Sequence, residues 1–136
     1  MNLQESIKNH RLMWDKVISI MENAHITKLN ITSIKHLVIK SYPEFIHLHN
    51  DCFLCDYAFN KFIECISEPY INLYGLCKYC PAKIHNTDIC DCLDRSYRNL
   101  KETWSLFFNT RLLIYKNKAI EIAQQIRDIP MKEDVE

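Results

Sequence analysis

The feature that most constrains the fold of this chain is its shortage of glycine, with one glycine, Gly75, in 136 residues. Sandwiches, barrels and open parallel sheets use glycine at tight turns and bulges, where the backbone adopts positive φ angles. The phosphate-binding loops of P-loop and dinucleotide-binding proteins need several glycines, so those classes are excluded. Helices need few. We therefore expect a mainly α-helical chain, long enough for a single domain.

The chain reads as one domain whose parts differ in character. Apolar residues recur every three or four positions near both ends, as they do in helices that pack on one face. The middle of the chain carries the cysteines. We expect N-terminal helices, a zinc-clamped loop region, a long C-terminal helix and an acidic tail, over residues 1–43, 44–93, 94–130 and 131–136.

Short helices are expected before the cysteines and among them. Thr32 or Ser33 is placed to cap the second helix. Pro43 ends that helix, because the residue before a proline is disfavoured in helical geometry. Residues 44–57 are expected to be extended or irregular, and a third helix is expected to start at Ala58.

The C-terminal apolar pattern is unusually long. It runs from Tyr97 to Ile129 with no glycine or proline before Pro130. One continuous helix would be roughly 50 Å long, which exceeds the width of a globule whose radius of gyration is roughly 14 Å. Either the helix breaks, near Asn109, or it projects and forms a homo-oligomer. Its aromatic stripe is expected to be core, packed on the first helix through Trp14.

Cysteine spacing provides the strongest functional signal. All seven cysteines lie within 41 consecutive residues, where Cys52-x2-Cys55 is followed, 21 residues later, by Cys77-x2-Cys80. Two such knuckles are typical of a tetrahedral four-thiolate zinc site. The N-terminus has no apolar stretch of signal-peptide length. We therefore expect an intracellular protein with reduced thiols and a structural Zn²⁺ ion.

The ligand set is left open by a further cysteine pair. Cys90-x-Cys92 could supply a ligand in place of a knuckle member, or could hold a second metal, whereas Cys65 is expected to be a buried thiol. With four thiolates and no histidine inside either knuckle, a closed and non-catalytic site is expected. The candidate metal ligands are therefore Cys52, Cys55, Cys77, Cys80 and Cys90.

Local charge argues against nucleic-acid binding through the knuckles. Residues 51–94 hold seven acidic and three basic residues, a charge of −4, whereas each flank carries +2. A phosphate backbone requires a basic surface. Arg95, Arg98 and Lys101 form a modest basic cluster that could meet a small anionic ligand, or could be an ordinary solvated helix face.

Two histidines keep a catalytic alternative open. His47 and His49 alternate along the segment before the first knuckle and would share one face of an extended strand. They could bind metal or ligand, one could be a general base, or both could be surface residues. A small metal-dependent hydrolase would need one of them near the metal. A nucleic-acid-binding zinc regulator is the other alternative, and it would have to use the basic flanks.

From the first knuckle onward the motifs follow a characteristic order. They are Cys52-Phe-Leu-Cys55-Asp56-Tyr57-Ala58, Cys77-Lys-Tyr-Cys80-Pro81, Cys90, Tyr97, Trp104 and Ala119-Ile-Glu-Ile-Ala123 with Ile129-Pro130. This order resembles a family of small, largely uncharacterised tailed-phage proteins over roughly residues 50–130. The chain departs from the family pattern at Ala82, where a larger apolar residue is usual, and in the additional Cys65 and Cys92.

The resemblance implies a phage accessory protein that works in the bacterial host cytoplasm, and it implies no known activity. Together with the closed-looking cysteine set, it leads us to expect a non-catalytic protein structured by zinc. Such a protein would bind and inhibit a host factor, or sequester a small anionic signal of a host defence system. No apolar segment approaches the length of a membrane span, so no membrane partner is expected.

Overall fold

The computed structural model describes residues 2–24, 29–45, 52–65, 80–82 and 92–131, without the side chains of residues 62, 65 and 92–95. The described elements are α1 (Leu3–Asn23), α2 (Ile31–Ser41), a 3-10 turn (Pro43–Phe45), α3 (Phe53–Cys65), α4 (Cys92–Thr110) and α5 (Leu113–Arg127). Within these residues, β pairing is limited to one antiparallel bridge between Ala82 and Met131. The expected mainly α-helical fold is confirmed.

The first helix begins at a reciprocal cap. The Glu5 backbone N–H donates to Asn2 Oδ1 at 2.8 Å, and the Asn2 N–H donates to Glu5 Oε2 at 3.3 Å. This capping box satisfies backbone donors that the first helical turn leaves without a partner. α1 packs against α2, α3 and α5, so it is the central helix of the described fold.

The second helix begins slightly earlier than the sequence suggested. The cap expected at Thr32 or Ser33 is wrong, because Asn30 is the cap and its Oδ1 accepts the Ser33 N–H at 2.8 Å. Asparagine is among the best N-cap residues, since its short side chain reaches the backbone of the first turn. The expected end before Pro43 is confirmed by the last helical residue, Ser41.

The third helix also begins earlier than predicted. Irregular chain was expected up to Ala58, but α3 starts at Phe53, so Cys55 lies in its first turn. The Cys55 backbone N–H donates to Cys52 Sγ at 3.4 Å. The sulfur therefore occupies the place of a capping oxygen and satisfies one donor of the first turn.

Of the two alternatives for the long C-terminal helix, the break is the one observed, and the pattern forms two helices. The break falls close to the predicted Asn109, at Arg111, whose φ of 60° is in the left-handed region. The Arg111 N–H donates to the Phe107 carbonyl at 2.7 Å, and the Leu112 N–H donates to Thr110 Oγ1 at 3.3 Å. These bonds complete the end of α4 without glycine, and α5 then folds back along α4 and α1.

A large apolar cluster, here called the main core, joins α1, α2, α4 and α5. It consists of Met13, Trp14, Val17, Ile18, Met21, Ile31, Ile34, Val38, Phe45, Phe53, Leu100, Trp104, Phe107, Ala119, Ala123 and Ile126. Trp14 meets Tyr97 edge to face, with ring centroids 6.2 Å apart. The expected core role of the aromatic stripe is confirmed for Trp104 and Phe107, whereas Phe108 is exposed.

Two polar side chains fix the C-terminal end of α1 and the chain after it. The Lys116 ammonium is buried and donates to the Glu22 and Ala24 carbonyls at 3.0 and 2.8 Å. Trp104 Nε1–H donates to the Leu29 carbonyl at 3.0 Å. A cation at a helix C-terminus also interacts favourably with the helix dipole.

None of the described helices has the length and apolarity required to cross a membrane.

Candidate metal centre

A second apolar cluster lies apart from the main core. It consists of Ile7, Leu54, Ala58, Cys80, Ala82, Ile129 and Met131, with Leu3 and Cys52 packed against it. These residues come from the start of α1, the first turns of α3, the short stretch 80–82 and the chain after α5. The second cluster therefore brings together one cysteine from each C-x-x-C knuckle.

The chain that follows the second knuckle is held against the C-terminal segment. The bridge between Ala82 and Met131 pairs two residues with fully buried side chains. Cys80 itself is buried within the same cluster. The position of Cys80 thus depends on pairing with the chain after α5, which is distant in sequence.

The sulfur of Cys52 is prepared to carry negative charge. A hydrogen bond from the Cys55 side chain is the largest cause of a lowered pKa, which falls from 9.0 to about 7. Burial opposes this shift, while the positive charge of Lys35 and the backbone N–H groups of Leu54 and Cys55 favour it. A thiolate is the form in which cysteine binds a metal ion. The donor chemistry at Cys52 therefore suits zinc.

The described cysteines do not by themselves form a complete metal site. Cys52 is half-buried, Cys55 is exposed, Cys80 is buried, and none of these three is in a disulfide. Within the described part of the chain, no three cysteine, histidine or carboxylate side chains are grouped closely enough to hold a metal ion. The remaining predicted ligands, Cys77 and Cys90, lie outside the described residues.

A buried lysine near Cys52 was missed by the sequence analysis. Lys35 Nζ lies 4.6 Å from the centroid of the Tyr97 ring and 5.5 Å from that of Trp14. Cation–π contacts of this kind compensate part of the cost of burying the charge. Spacing contained a signal, because Lys35 stands at the i+4 position of the buried stripe that begins at Ile31.

Two of the five weak ligand-binding candidates have side chains that the structure describes. Arg98 and Lys101 are exposed on α4, and Lys101 Nζ lies 4.9 Å from the centroid of the Tyr97 ring. The side chain of Arg95 and both residues His47 and His49 lie outside what the structure describes. The described residues therefore provide no geometric support for the expected binding site for a small anion.

The described chain contains open grooves on its helices. One, of about 340 Å³, runs along α1 and is lined in part by Lys8, Arg11 and Asp15. Arg127 Nη1 donates to Asp15 Oδ1 at 2.9 Å, which neutralises part of the negative charge that Asp15 brings to this groove.

Comparison with protein-family models, curated proteins and solved structures gives no match to this chain.

Proposed function

We propose that this chain is a non-catalytic, phage-encoded accessory protein that is structured by zinc and binds a host protein. The single observation that carries the metal part is the position of Cys52 and Cys80, which lie at the same second cluster although they come from different knuckles. The phage origin and the host partner rest on the motif order described above. The cytoplasm of the bacterial host is the proposed site of action.

Four thiolates would hold the metal in this proposal. Cys52, Cys55 and Cys80 supply three, and the fourth comes from Cys77, with Cys90 as the alternative ligand. Zinc supplies a tetrahedral cross-link between segments that are distant in sequence. The second cluster has few large apolar side chains, so such a cross-link would provide much of its stability.

The proposed role is binding rather than catalysis because three buried polar side chains of the described residues make structural contacts. His10 Nε2 bonds the Ile126 carbonyl at 2.9 Å, and Lys116 donates to carbonyls at the end of α1. Lys35 lies over two aromatic rings. None of these three lines the groove along α1. These contacts hold helices together and leave the groups poorly placed for chemistry on a substrate.

The charge of the knuckle segment indicates the kind of partner. Residues 51–94 carry −4, and zinc bound by four thiolates would add further negative charge. Surfaces of opposite charge attract one another and favour fast association. We therefore propose a basic surface on the host protein, and we prefer this partner to a small anionic signal.

The metal is tested by elemental analysis of freshly purified, reduced full-length protein. We expect a single zinc ion per chain in the wild type and its loss in Cys52→Ser and Cys80→Ser. The matched control is Cys65→Ser, which removes a cysteine outside both knuckles and should keep the metal. Substitution by cobalt would report thiolate ligation through its charge-transfer absorption. Wild-type protein without metal, or equal loss in Cys65→Ser, would overturn the zinc site.

The partner is tested with the zinc-loaded protein in bacterial lysate. We expect a captured host protein whose binding weakens with added salt and is lost in Glu64→Lys/Glu68→Lys. Glu102→Lys/Glu121→Lys, at exposed positions of α4 and α5, makes the same change of charge outside the acidic segment and should retain binding. Native mass spectrometry that shows a retained small anion in place of a protein would contradict this part of the proposal while leaving the zinc site intact.

A further inference from the structure

An exposed apolar surface lies where α4 meets α5. Eight large apolar side chains of the described residues are strongly exposed, and five of them fall within the nine residues 106–114. We call these five the apolar corner: Leu106, Phe108, Leu112, Leu113 and Ile114. Scattered exposed apolar residues are normal, but a concentration of this kind marks an interaction surface.

The residues of the corner are unfavourable for an isolated chain. Leu112 occupies the N-cap position of α5, and its side chain forms no capping hydrogen bond. Serine, threonine, asparagine or aspartate at such a position is preferred by about 1 kcal/mol. Arg111 adopts a left-handed conformation that glycine would adopt more readily. The turn therefore departs from the local preferences of a helix start, and such departures are expected where a surface serves a function.

The exposed area is a large part of what a dimer interface requires. Leu106 and Phe108 are two positions apart on α4, on either side of the buried Phe107, so only Leu112, Leu113 and Ile114 are counted. Their exposed fractions add up to about two complete side chains. At roughly 150 Å² for each complete large side chain, these three offer about 280 Å² of apolar surface. A standard interface buries roughly 800 Å² per partner, of which somewhat more than half is apolar, so the three residues supply more than half of that apolar part.

The charge distribution suits contact with a second copy. From Thr103 to Tyr115, Arg111 is the single charged residue, and the whole chain has a formal net charge of zero. A two-fold interface places the same surface on both sides, so a nearly uncharged patch avoids repulsion between like charges. Beside the corner, Ile114 lines a groove of about 500 Å³ whose other residues include the amides of Asn99 and Asn117. These amides can form the polar rim of such an interface.

We infer that the chain forms a homodimer through the apolar corner, with Leu113 and Ile114 at its centre. This interface differs from the one that a projecting long helix would provide, because Trp104 and Phe107 are buried in the main core. It does not depend on zinc, since the corner lies on α4 and α5 and shares no residue with the second cluster.

The test is sedimentation velocity of full-length, zinc-treated protein over a wide range of concentration. We expect a reversible dimer for the wild type, and a dissociation constant raised roughly a hundredfold or more in Leu113→Glu, because each substitution occurs twice across a two-fold interface. Glutamate in the first turn of a helix is favourable, so this variant should fold at least as well as the wild type. Circular dichroism checks that it does.

Leu37→Glu is the matched control, because Leu37 is an exposed leucine on α2, outside the corner. It should dimerise like the wild type. A wild type that stays monomeric at every concentration, a Leu113→Glu protein that still dimerises, or equal loss in Leu37→Glu would each overturn the inference. Zinc content measured on the same samples separates this outcome from failure of the metal site.

Discussion

The main core and the second cluster differ in the structural elements and in the side chains that form them. The main core is formed mainly by long stretches of α1, α2, α4 and α5, with Phe45 of the 3-10 turn and Phe53 of α3, and its Trp104 is fully buried. The second cluster is formed by helix ends and short segments, and two of its seven buried members are alanines. Helices bury a continuous apolar face, so the first arrangement is stable through packing alone. The second cluster includes Cys80, with Cys52 packed against it, where larger apolar side chains would otherwise be needed for stability.

This difference explains where a metal would be useful in such a small protein. Small domains bury too little apolar surface to stabilise every segment, and cross-links then replace part of the core. The main core has no need of one. The following predictions test whether the two clusters differ in this way.

The largest effect is expected from a truncation in the main core. Trp104→Ala should lower the free energy of unfolding by about 4 kcal/mol, because it leaves a cavity and removes the hydrogen bond to the Leu29 carbonyl. Leu54→Ala, in the second cluster, should cost about 2 to 3 kcal/mol. Denaturant titration measures both, and Leu37→Ala at an exposed position should stay within about 0.5 kcal/mol of wild type.

Amide hydrogen exchange then distinguishes the two clusters. Trp104→Ala should reduce protection throughout the helices, whereas Leu54→Ala should reduce it mainly at the start of α3 and around Ile129 and Met131. Regions that unfold separately lose protection separately. A uniform loss of protection in Leu54→Ala would show that the two clusters form one cooperative unit.

A slightly smaller effect on the free energy of unfolding is expected from lowering the pH, through His10, which lies on α1 between the two clusters. The pKa of His10 is lowered from 6.5 to about 4, chiefly by burial; the hydrogen bond to the Ile126 carbonyl opposes the shift, and the charges of Lys35 and Arg11 add to it. The unfolded chain therefore binds this proton first. Stability is fully present above pH 6.5 and is lost as the pH falls towards about 4, by about 3 kcal/mol in total.

The measurement is the free energy of unfolding as a function of pH in wild type and in His10→Gln. Glutamine can still donate to the Ile126 carbonyl but does not titrate. We expect the slope between pH 6.5 and about 4 to be smaller in the variant. Identical slopes would mean that protonation of His10 does not limit the acid stability of the junction between the clusters.

The smallest effect is expected at the turn that allows α5 to return to the main core. Arg111→Gly should raise the free energy of unfolding by up to about 1 kcal/mol, because glycine adopts a φ of 60° without steric cost. The same change at Arg98, exposed within α4, should lower it by about 1 kcal/mol. Thermal melts measured at low protein concentration provide the comparison, and two changes of the same sign would refute it.

Much of the helical part could be predicted from the sequence. Low glycine content and apolar periodicity indicated the helices, and Pro43 marked the end of α2. The cap at Asn30 and the early start of α3 could not be read with the same accuracy, because an N-cap is defined by which side chain reaches the backbone of the first turn. Cys52 acts there through its sulfur, for which sequence statistics offer little guidance.

The metal chemistry of the candidate site stays a prediction, and the surroundings of the site were not predicted. Spacing alone indicated paired thiolates at Cys52 and Cys55. Lys35 was not predicted, although its register on α2 placed it on the buried face. The contribution of Met131 could not be predicted either, because a single bridge between residues far apart in sequence leaves no periodic pattern.

The sequence by itself thus determined the fold class and the proposed metal chemistry, because helical periodicity and C-x-x-C spacing are local properties. Only the tertiary structure decided that the C-terminal pattern divides at Arg111, that Trp104 and Phe107 belong to the main core, and that Leu113 and Ile114 are left exposed. A helix can turn back only where burying its far half against α1 outweighs a strained turn. That balance depends on which residues pack against each face of the helix. Contacts between segments distant in sequence cannot be predicted from local spacing.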